Sequence, residues 1–163
     1  WDAALQSQRP LVLDADGLNL LACYPCAVPA HCVLTPHPGE AARLLGCDVA
    51  SIQRDRFVAV RAIAKRYSAV VVLKGSGSLI ADTDGRVAVC PFGNPGMASA
   101  GMGDLLTGVI AALLAQGLSA WDAACVGVVV HARAGDHAAA DQPRGLIASD
   151  LFAPLRSLVN ECR

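Results

Sequence analysis

The chain has 163 residues, with 13 basic and 14 acidic side chains, a formal net charge of −1 and an apolar fraction of 54%. The near-zero charge argues against a nucleic-acid-binding protein, which needs a basic surface, and the high apolar content without charge runs excludes a disordered chain. The apolar stretch 105–121 contains polar residues and is shorter than the ~20 apolar residues that span a bilayer, so we expect no membrane segment.

Short apolar runs alternate with longer helical segments along the chain. The patterns predict strands at 11–15, 32–35 and 70–73, an amphipathic helix over 51–65, and a hairpin at 78–82 and 86–90 that turns at Asp84-Gly85. Helices that are apolar nearly all round, and therefore buried, are predicted at 104–116 and 121–140, with a last helix over 148–159 that is interrupted or bent near Pro154. We predict a single α/β domain over 1–163, with a largely parallel sheet flanked by helices and a hairpin on its C-terminal side.

The predicted sheet is small for the helices that cover it. Three parallel strands and one hairpin lie beneath two long buried helices, Trp1 is not a methionine, and the first strand follows almost at once. We therefore expect an incomplete domain with further strands on its N-terminal side.

Seven cysteines, an odd number, lie mostly within apolar runs. This usage is typical of the reducing cytoplasm and not of a disulfide framework. Cys23 and Cys26 have the spacing of a redox motif, but they follow a helical segment where such a motif would precede one, so we expect two small core thiols. No second close pair of cysteine or histidine completes a zinc site.

The segment 94–104 (NPGMASAGMGD) has no side chain larger than methionine and leads directly into an apolar helix. Small residues let a ligand approach the backbone, and the helix start offers free N–H groups and a positive dipole end, which together favour phosphate. Asp104 lies beside these donors, where a carboxylate can take a proton from a hydroxyl that attacks a phosphoryl group. Alternatively, Asp104 is the N-cap of the helix and the glycines are turn residues.

A second candidate segment, 35–40 (TPHPGE), follows a predicted strand. Prolines on both sides of His37 restrict the backbone and place the imidazole at the carboxyl end of the sheet, where ligands bind in α/β folds. Glu40 could hold a hydrated Mg²⁺ through water. In the alternative interpretation His37 is a turn histidine and Glu40 a first-turn carboxylate favoured by the helix dipole.

Three further groups of polar residues are candidates. The loop 74–78 (KGSGS) offers amides, hydroxyls and the Lys74 ammonium to a nucleotide phosphate or ribose, or is a tight turn with a solvated lysine. The segment 14–19 (DADGLN) ends a strand, where its carboxylates line the site or Asp16 caps a helix. On the helix 121–140 the polar residues are poorly spaced for shared ligation, so we expect core packing and a solvated edge for His131, Arg133, Asp136 and His137.

Taken together and in this order, these segments resemble the ADP-dependent NAD(P)H-hydrate dehydratase family, a ribokinase-like domain that also forms the C-terminal half of bifunctional NAD(P)H-hydrate repair enzymes. The match is carried by 14–19, 34–40, 73–77 and 94–117, with 145–151 (GLIASDL) as the closing segment. It implies that the hydroxyl of hydrated NADH or NADPH is phosphorylated by ADP and that phosphate is then eliminated, which restores the cofactor and yields AMP.

The resemblance also implies roles for individual residues. Asp104 contacts the hydrate hydroxyl and acts as the base, and the amides of Gly101, Met102 and Gly103 form an anion hole. The adenine nucleotide is held by Gly103 and by the loop residues Lys74, Gly75, Ser76, Gly77 and Ser78. Substrate contacts come from His37 and Asn94. Glu40 takes the place of the acidic residue of an Asn-x-x-Glu motif linked to Mg²⁺, although His37 stands where that motif has asparagine.

Family domains carry further strands before the first strand of this chain, and members commonly form tetramers, so the resemblance implies a homo-oligomer. We expect the 163-residue chain alone to bind nucleotide weakly and to turn over poorly. Two other functions remain open: a ribokinase-like kinase of a small vitamin precursor or sugar alcohol, and a non-catalytic nucleotide-binding fragment. The glycine-rich segment and Asp104 are common to the dehydratase and the kinase.

Overall fold

The computed structural model describes residues 1–7, 9–140 and 144–160. One sheet holds five short strands in the order of the chain: β1 (Leu11–Leu13), β2 (Cys32–Leu34), β3 (Val70–Leu73), β4 (Leu79–Ala81) and β5 (Val87–Val89). β1, β2 and β3 are parallel, whereas β4 is antiparallel to both β3 and β5, so four of the five strands run in one direction. The predicted α/β fold, largely parallel sheet and C-terminal-side hairpin are confirmed.

Helices cover both faces of the sheet. The described residues form eight α-helices: α1 (Asp2–Gln6), α2 (Ala15–Cys23), α3 (Pro38–Leu45), α4 (Val49–Arg54), α5 (Arg56–Tyr67), α6 (Met102–Ala115), α7 (Ala120–Ala139) and α8 (Phe152–Leu158). Alternate residues of β3 belong to opposite layers: Val71 and Leu73 pack in the core with α2 to α5, and Val70 and Val72 pack in the core with α6 and α7. The central strand is buried on both faces, which explains its unbroken apolar sequence.

The single helix predicted over 51–65 is wrong, because two helices meet at Asp55. The Asp55 carboxylate accepts a hydrogen bond from the backbone N–H of Val58 at 2.9 Å and starts α5, while Asp48 caps α4 in the same way through Ser51 at 2.7 Å. Capping aspartates give each helix its own start, and periodicity alone does not register such a break.

The last predicted helix is interrupted close to Pro154, as one of the two predicted forms has it, but the break comes before the proline. Residues Ala148–Leu151 form a 3-10 turn, and α8 begins at Phe152. Pro154 lies in the first turn of α8, where its missing N–H would have no helical partner, so the proline does not bend the helix.

The two long helices are buried to different extents. α7 is largely buried, as predicted, and Gly127 allows it to approach α6 so closely that a Cβ there would lie 2.8 Å from Cγ1 of Ile110. In α6 every fourth residue is buried, so the buried side chains lie on one face. The opposite face exposes small residues, and the predicted burial on all sides of the helix is therefore wrong. The exposed positions of the helix are Asp104, Gly108, Ala111, Ala112 and Ala115.

The predicted burial of Cys23 and Cys26 is wrong as well, because both thiols are free and exposed where the chain leaves α2. In contrast, Cys32 and Cys90 are buried. Among the described helices, none combines the length and the hydropathy that crossing a membrane requires.

Candidate functional site

The polar residues of the site meet at the carboxyl edge of the parallel strands. Lys74 follows β3, and its Nζ lies 2.7 Å from Oδ1 of Asp14, which follows β1. The other Asp14 oxygen accepts a hydrogen bond from Oγ1 of Thr107 on α6 at 3.1 Å. Oε2 of Glu40, in the first turn of α3, lies 3.9 Å from the same Lys74 nitrogen. The Lys74 ammonium therefore connects the ends of β1 and β3 with α3 and, through Asp14, with α6. These elements meet at the edge of the sheet where α/β proteins bind ligands.

The charges of this network are largely buried. Burial alone would raise the pKa of Asp14, but the hydrogen bond and charge of Lys74, with the hydrogen bond from Thr107, outweigh burial and hold that pKa below its usual value. Lys74 is 20% exposed and is an ion-pair partner, so its interpretation as a solvated lysine is wrong. Of the two candidate carboxylates in this segment, Asp16 is exposed in the first turn of α2. The N-cap of α2 is Asp14, so the interpretation that Asp16 caps the helix is wrong.

Arg56 supports the loop 74–78 from the side of α5. Its guanidinium donates to the backbone oxygens of Ser76, at 2.7 Å, and Leu73, at 3.2 Å. Gly75 has a φ of 150°, and a Cβ there would lie 2.9 Å from Nη2 of Arg56. The glycine thus allows the guanidinium to reach the loop backbone, which sets the path of the loop. No motif pointed to Arg56, because it is one of several basic residues on an amphipathic helix.

A cavity of about 640 Å³ opens beside this loop. It lies between the start of α3, the segments that precede α6, and α7. Of the residues predicted for the site, those that line it are His37, Lys74, Gly75, Ser76, Gly77, Ser78, Asn94, Met102 and Gly103. The structure thus brings three separate candidate segments to one cavity of the size and mixed lining that small ligands occupy.

The start of α6 approaches the Lys74 network closely. Gly101 is the N-cap, with a φ of 84°, and a Cβ on Gly103 would lie 3.3 Å from Nζ of Lys74. Asp104 is the third residue of the helix and not its N-cap, so the capping alternative is wrong. Its carboxylate is exposed, lies outside the cavity lining, and accepts no hydrogen bond from any residue that the structure describes.

His37 and Glu40 form a reciprocal cap at the start of α3. Nδ1 of His37 accepts hydrogen bonds from the backbone N–H groups of Gly39, at 2.9 Å, and Glu40, at 3.3 Å, and Glu40 Oε2 accepts one from the His37 N–H at 2.8 Å. The imidazole remains half exposed at the cavity. Both residues therefore have the structural role that the alternative interpretation gave them, and His37 also faces the ligand space.

The donor set around Glu40 does not fit direct coordination of a metal ion. Its Oε2 is engaged by His37 N–H, and Oε1 lies 3.5 Å from Nε2 of His37. Within the described ranges, no group of three or more His, Cys, Asp or Glu residues is placed to hold a metal. Contact between Glu40 and a metal ion through water stays a prediction.

Asp136 attaches the glycine-rich segment to α7. Its carboxylate accepts hydrogen bonds from the Gly93 N–H, at 2.9 Å, and from Nδ2 of Asn94, at 3.0 Å. The Asn94 Oδ1 in turn accepts the Gly96 N–H at 3.0 Å. The prediction of a merely solvated edge is therefore wrong for Asp136. Asn94 lines the cavity, but both ends of its amide already have partners within the protein.

His131 is buried on α7 and lines the cavity, and its Nε2 has no hydrogen-bond partner among the residues that the structure describes. Burial lowers the pKa of His131 to about 4, and a hydrogen bond with the Met102 backbone offsets this effect in part. Core packing was predicted for His131, and it is buried as expected, but a cavity adjoins it. The sequence signal that could have pointed to His131 as a cavity residue is its position as a histidine on the buried face of an otherwise apolar helix.

The fold and the site define a ribokinase-like α/β protein with a glycine-rich ligand cavity at the carboxyl edge of its sheet. A solved ribokinase-like superfamily protein from Enterococcus faecalis superimposes with a TM-score of 0.79 over 94% of the chain and 52% of its own, at 26% identity. The family model described as NAD(P)H-hydrate dehydratase matches residues 1–156, and the chain belongs to this family.

Individual relatives agree with this membership. The bifunctional NAD(P)H-hydrate repair enzyme Nnr of Coxiella burnetii is 53% identical over 96% of the chain and 32% of its own length. The ADP-dependent (S)-NAD(P)H-hydrate dehydratase of Neisseria meningitidis is 44% identical over 94% of the chain and 54% of its length. The ADP/ATP-dependent NAD(P)H-hydrate dehydratase of Bacillus subtilis, co-crystallised with ATP/Mg²⁺, has a TM-score of 0.85 over 97% of the chain and 58% of its own, at 31% identity. The chain thus spans about a third to a half of the curated relatives it matches.

Proposed function

We propose that the protein catalyses the ADP-dependent dehydration of the S form of hydrated NADH or NADPH. The observation that supports this function is the convergence of the loop 74–78 and the start of α6 on one cavity, in a chain that belongs to the dehydratase family. ADP phosphorylates the hydrate hydroxyl and leaves as AMP. Elimination of inorganic phosphate then restores the reduced nicotinamide ring.

The residues that line the cavity and those beside it have separate tasks in this reaction. The loop Lys74 to Ser78 and the amides of Gly101, Met102 and Gly103 bind the phosphates, because free helix N–H groups and an ammonium stabilise the charge of a transferring phosphoryl group. Asp104 takes the proton of the hydrate hydroxyl as the new oxygen–phosphorus bond forms. Its exposed carboxylate, free of hydrogen bonds within the described chain, is available for that contact.

His37 and Asn94 contact the hydrated cofactor in this proposal. The imidazole of His37 is half exposed and lines the cavity. The Asn94 amide retains one N–H and one oxygen lone pair beyond its contacts with Asp136 and Gly96. Glu40 would hold Mg²⁺ through water, and the ion would supply positive charge that neutralises the nucleotide phosphates.

The reaction is tested by the recovery of reduced-nicotinamide absorbance from hydrated NADH, with ADP compared against ATP. We expect Asp104→Asn to lower kcat roughly 100-fold or more while AMP binding stays within about twofold, because the general base is lost and the phosphate site is intact. Asp84→Asn, in the hairpin turn, is the matched control and should behave as wild type.

The outcomes separate the alternatives. A wild-type protein that binds AMP but never turns over would identify a non-catalytic nucleotide-binding protein. Phosphorylation of a vitamin precursor or sugar alcohol without dehydration of the hydrate would identify the kinase. An Asp104→Asn variant with unchanged kcat would reject Asp104 as the base.

The setting of the molecule is part of the same proposal. Residues 1–163 belong to one domain, located in the cytoplasm, where the six described cysteines stay free.

The small apolar residues exposed on α6 support association of identical chains into a homo-oligomer, a tetramer by resemblance. Light scattering measures that state directly, and a monomer at micromolar concentration would reject it.

A further inference from the structure

Arg56 occupies an unfavourable position in its own helix. It is the first residue of α5, directly after the N-cap Asp55, and the first turn of this helix contains no acidic residue. A cation at a helix N-terminus is repelled by the positive end of the helix dipole, so the local structure does not favour an arginine here. Contacts outside the helix must therefore account for its position.

The guanidinium of Arg56 holds two backbone carbonyl groups at the neighbouring loop. It donates to the oxygen of Leu73 at 3.2 Å and to that of Ser76 at 2.7 Å. No peptide bond of the described residues is cis, and in a trans peptide group the N–H points away from the C=O. The N–H groups of Lys74 and Gly77, which share peptide groups with these carbonyls, therefore point away from Arg56. Because α5 and α7 cover opposite faces of the sheet, this direction is towards the α7 side, where the cavity lies.

The first of these two N–H groups has an acceptor within the described chain, and the second has none. Lys74 N–H donates to the backbone oxygen of Pro36 at 2.9 Å, so this peptide group is held from both sides. Gly77 N–H donates to no residue that the structure describes, and the same holds for every backbone N–H of 75–78. These residues line the cavity. The loop thus has a run of free amide groups beside the ligand space, an arrangement that binds anions.

The charge of Arg56 is not balanced by an acidic side chain. Lys74 is paired with Asp14, whereas no carboxylate in the part of the chain that the structure describes pairs with Arg56. A positive charge thus lies behind the loop, on the side opposite the cavity. An anion in front of the loop is attracted by this charge as well as by the free amides.

We propose that Arg56 is a positioning residue for the phosphates of the nucleotide. By holding the Ser76 carbonyl, its guanidinium directs the Gly77 N–H at a phosphate oxygen. Arg56 itself lies outside the cavity lining and does not touch the ligand. The proposal rests on the function above in taking the ligand to be a nucleoside diphosphate. A donor that is fixed before the ligand arrives loses less conformational entropy on binding, so the loss of Arg56 weakens the binding of phosphate groups in particular.

The test compares the binding of ADP with that of adenosine, which has no phosphate, by titration calorimetry. Arg56→Ala should weaken ADP binding roughly 10-fold or more, because a hydrogen bond to a charged group contributes about that much, and should leave adenosine binding within about twofold. Arg56→Lys keeps the charge but lacks the planar fork that holds two carbonyls, so it should show most of the same selective loss.

Two controls accompany these variants. Guanidinium chloride at non-denaturing concentration should restore ADP binding to Arg56→Ala, whereas potassium chloride at the same ionic strength should not. Arg54→Ala removes an exposed arginine at the end of α4 and should leave both affinities unchanged.

The outcomes distinguish this proposal from the catalytic one. Unchanged ADP affinity in a folded Arg56→Ala variant, or an equal loss for ADP and adenosine, would overturn the positioning role even if the dehydratase assay succeeds. A selective loss of ADP affinity in a protein without dehydratase activity would uphold the role and reject the proposed reaction. Absence of ADP binding by the wild-type protein would overturn both proposals.

Two technical failures leave the proposal falsifiable. If Arg56→Ala does not fold, Arg56→Lys decides by the same comparison, and wild-type ADP affinity in that variant would overturn the role of the two-carbonyl contact. If adenosine binds too weakly to measure, the recovery of ADP binding with guanidinium decides, and absence of recovery would overturn the proposal.

Discussion

Lys74 is the residue that joins the elements of the cavity. Its ammonium pairs with Asp14 at 2.7 Å and lies 3.9 Å from Glu40, and both carboxylates are largely buried. Removal of one member of a buried ion pair leaves an uncompensated charge, which destabilises a protein far more than the loss of an exposed pair. The residue proposed to bind phosphate is therefore also a structural one.

We expect Lys74→Met to lower the free energy of unfolding by roughly 2–3 kcal/mol, measured by urea denaturation at pH 7. The matched control is Lys65→Met on the exposed face of α5, which should change stability by less than about 0.5 kcal/mol. The effect should shrink in acid, because the lowered pKa of Asp14 makes its contribution present above the ordinary aspartate pKa and lost as pH falls through the folded value. Equal stability of the two variants would contradict a structural role for Lys74.

His131 predicts a second pH dependence. Burial lowers the pKa of His131 from 6.5 to about 4. Between these two pH values the histidine is protonated in the unfolded chain and neutral in the folded protein. The resulting stability is present above pH 6.5 and is lost as pH falls, by roughly 3 kcal/mol at pH 4. In His131→Gln this loss should be absent, whereas the exposed-site control His137→Gln should follow wild type. Parallel pH–stability curves for wild type and His131→Gln would show that the imidazole is not buried in its neutral form.

The sequence predicted the candidate segments at this scale better than it predicted their contacts. The local motifs around His37, Lys74 and Gly103 named residues that do line one cavity. The bond of Asp14 to Lys74 spans 60 positions and its bond to Thr107 spans 93, so no local pattern contains them. The support of the loop by Arg56 was missed for the same reason, since its partners are backbone oxygens on another element.

At the scale of elements, glycines on α7 set how closely neighbouring segments approach. Met97, in the segment before α6, packs against Gly135 so tightly that a Cβ there would lie 2.3 Å from its Sδ. The Met97 side chain also lines the cavity. Any side chain at position 135 therefore moves Met97, and the wall of the cavity moves with it.

We expect Gly135→Ala to destabilise the protein by about 1–3 kcal/mol and to weaken nucleotide binding, because the methyl group overpacks a filled site. Gly108→Ala is the matched change on the exposed face of α6, where nothing lies within 4 Å of a Cβ, and it should stabilise by up to about 1 kcal/mol through helix propensity. Thermal unfolding and calorimetry measure the two effects. A stabilising Gly135→Ala would show that Met97 has room to shift.

The elements themselves follow from the sequence to different degrees. β3 has the predicted bounds, and the hairpin turns at Gly85 with a φ of 85°, because runs of buried apolar residues and an Asp-Gly turn are local signals. The split between α4 and α5 and the exposed face of α6 were not predicted. The first depends on a cap bond, and the second depends on which side of the helix other elements cover.

At the scale of the whole molecule, the helical layers on the two faces of the sheet determine which cysteine thiols are exposed to solvent. Cys23, Cys26 and Cys47 are exposed, Cys125 is half-buried, and Cys32 and Cys90 lie in the two cores on either side of the sheet. Burial raises the pKa of Cys32 to about 12 and that of Cys125 to about 11. A thiol must be accessible and deprotonated to be alkylated.

Alkylation at pH 8, followed by mass spectrometry of peptides, should therefore label the three exposed cysteines at least 10-fold faster than Cys32, Cys90 and Cys125. In urea the six rates should converge, which serves as the internal control. Rapid labelling of Cys32 in the native protein would contradict the burial of β2 between the layers.

The sequence by itself determined the α/β class, the alternation of strands with helices, the hairpin and the segments that carry the ligand chemistry, because each depends on residues close together in the chain. Only the tertiary structure decided that Lys74 is an ion-pair residue, that Glu40 is engaged in a helix cap, and that a cavity adjoins His131. These properties arise where distant elements meet, and burial, pairing and pKa depend on what lies across that contact. The high apolar fraction of the sequence is explained by the two helical layers, because they place most apolar residues in the cores on either side of the sheet. Only a few polar groups are left at the edge of the sheet.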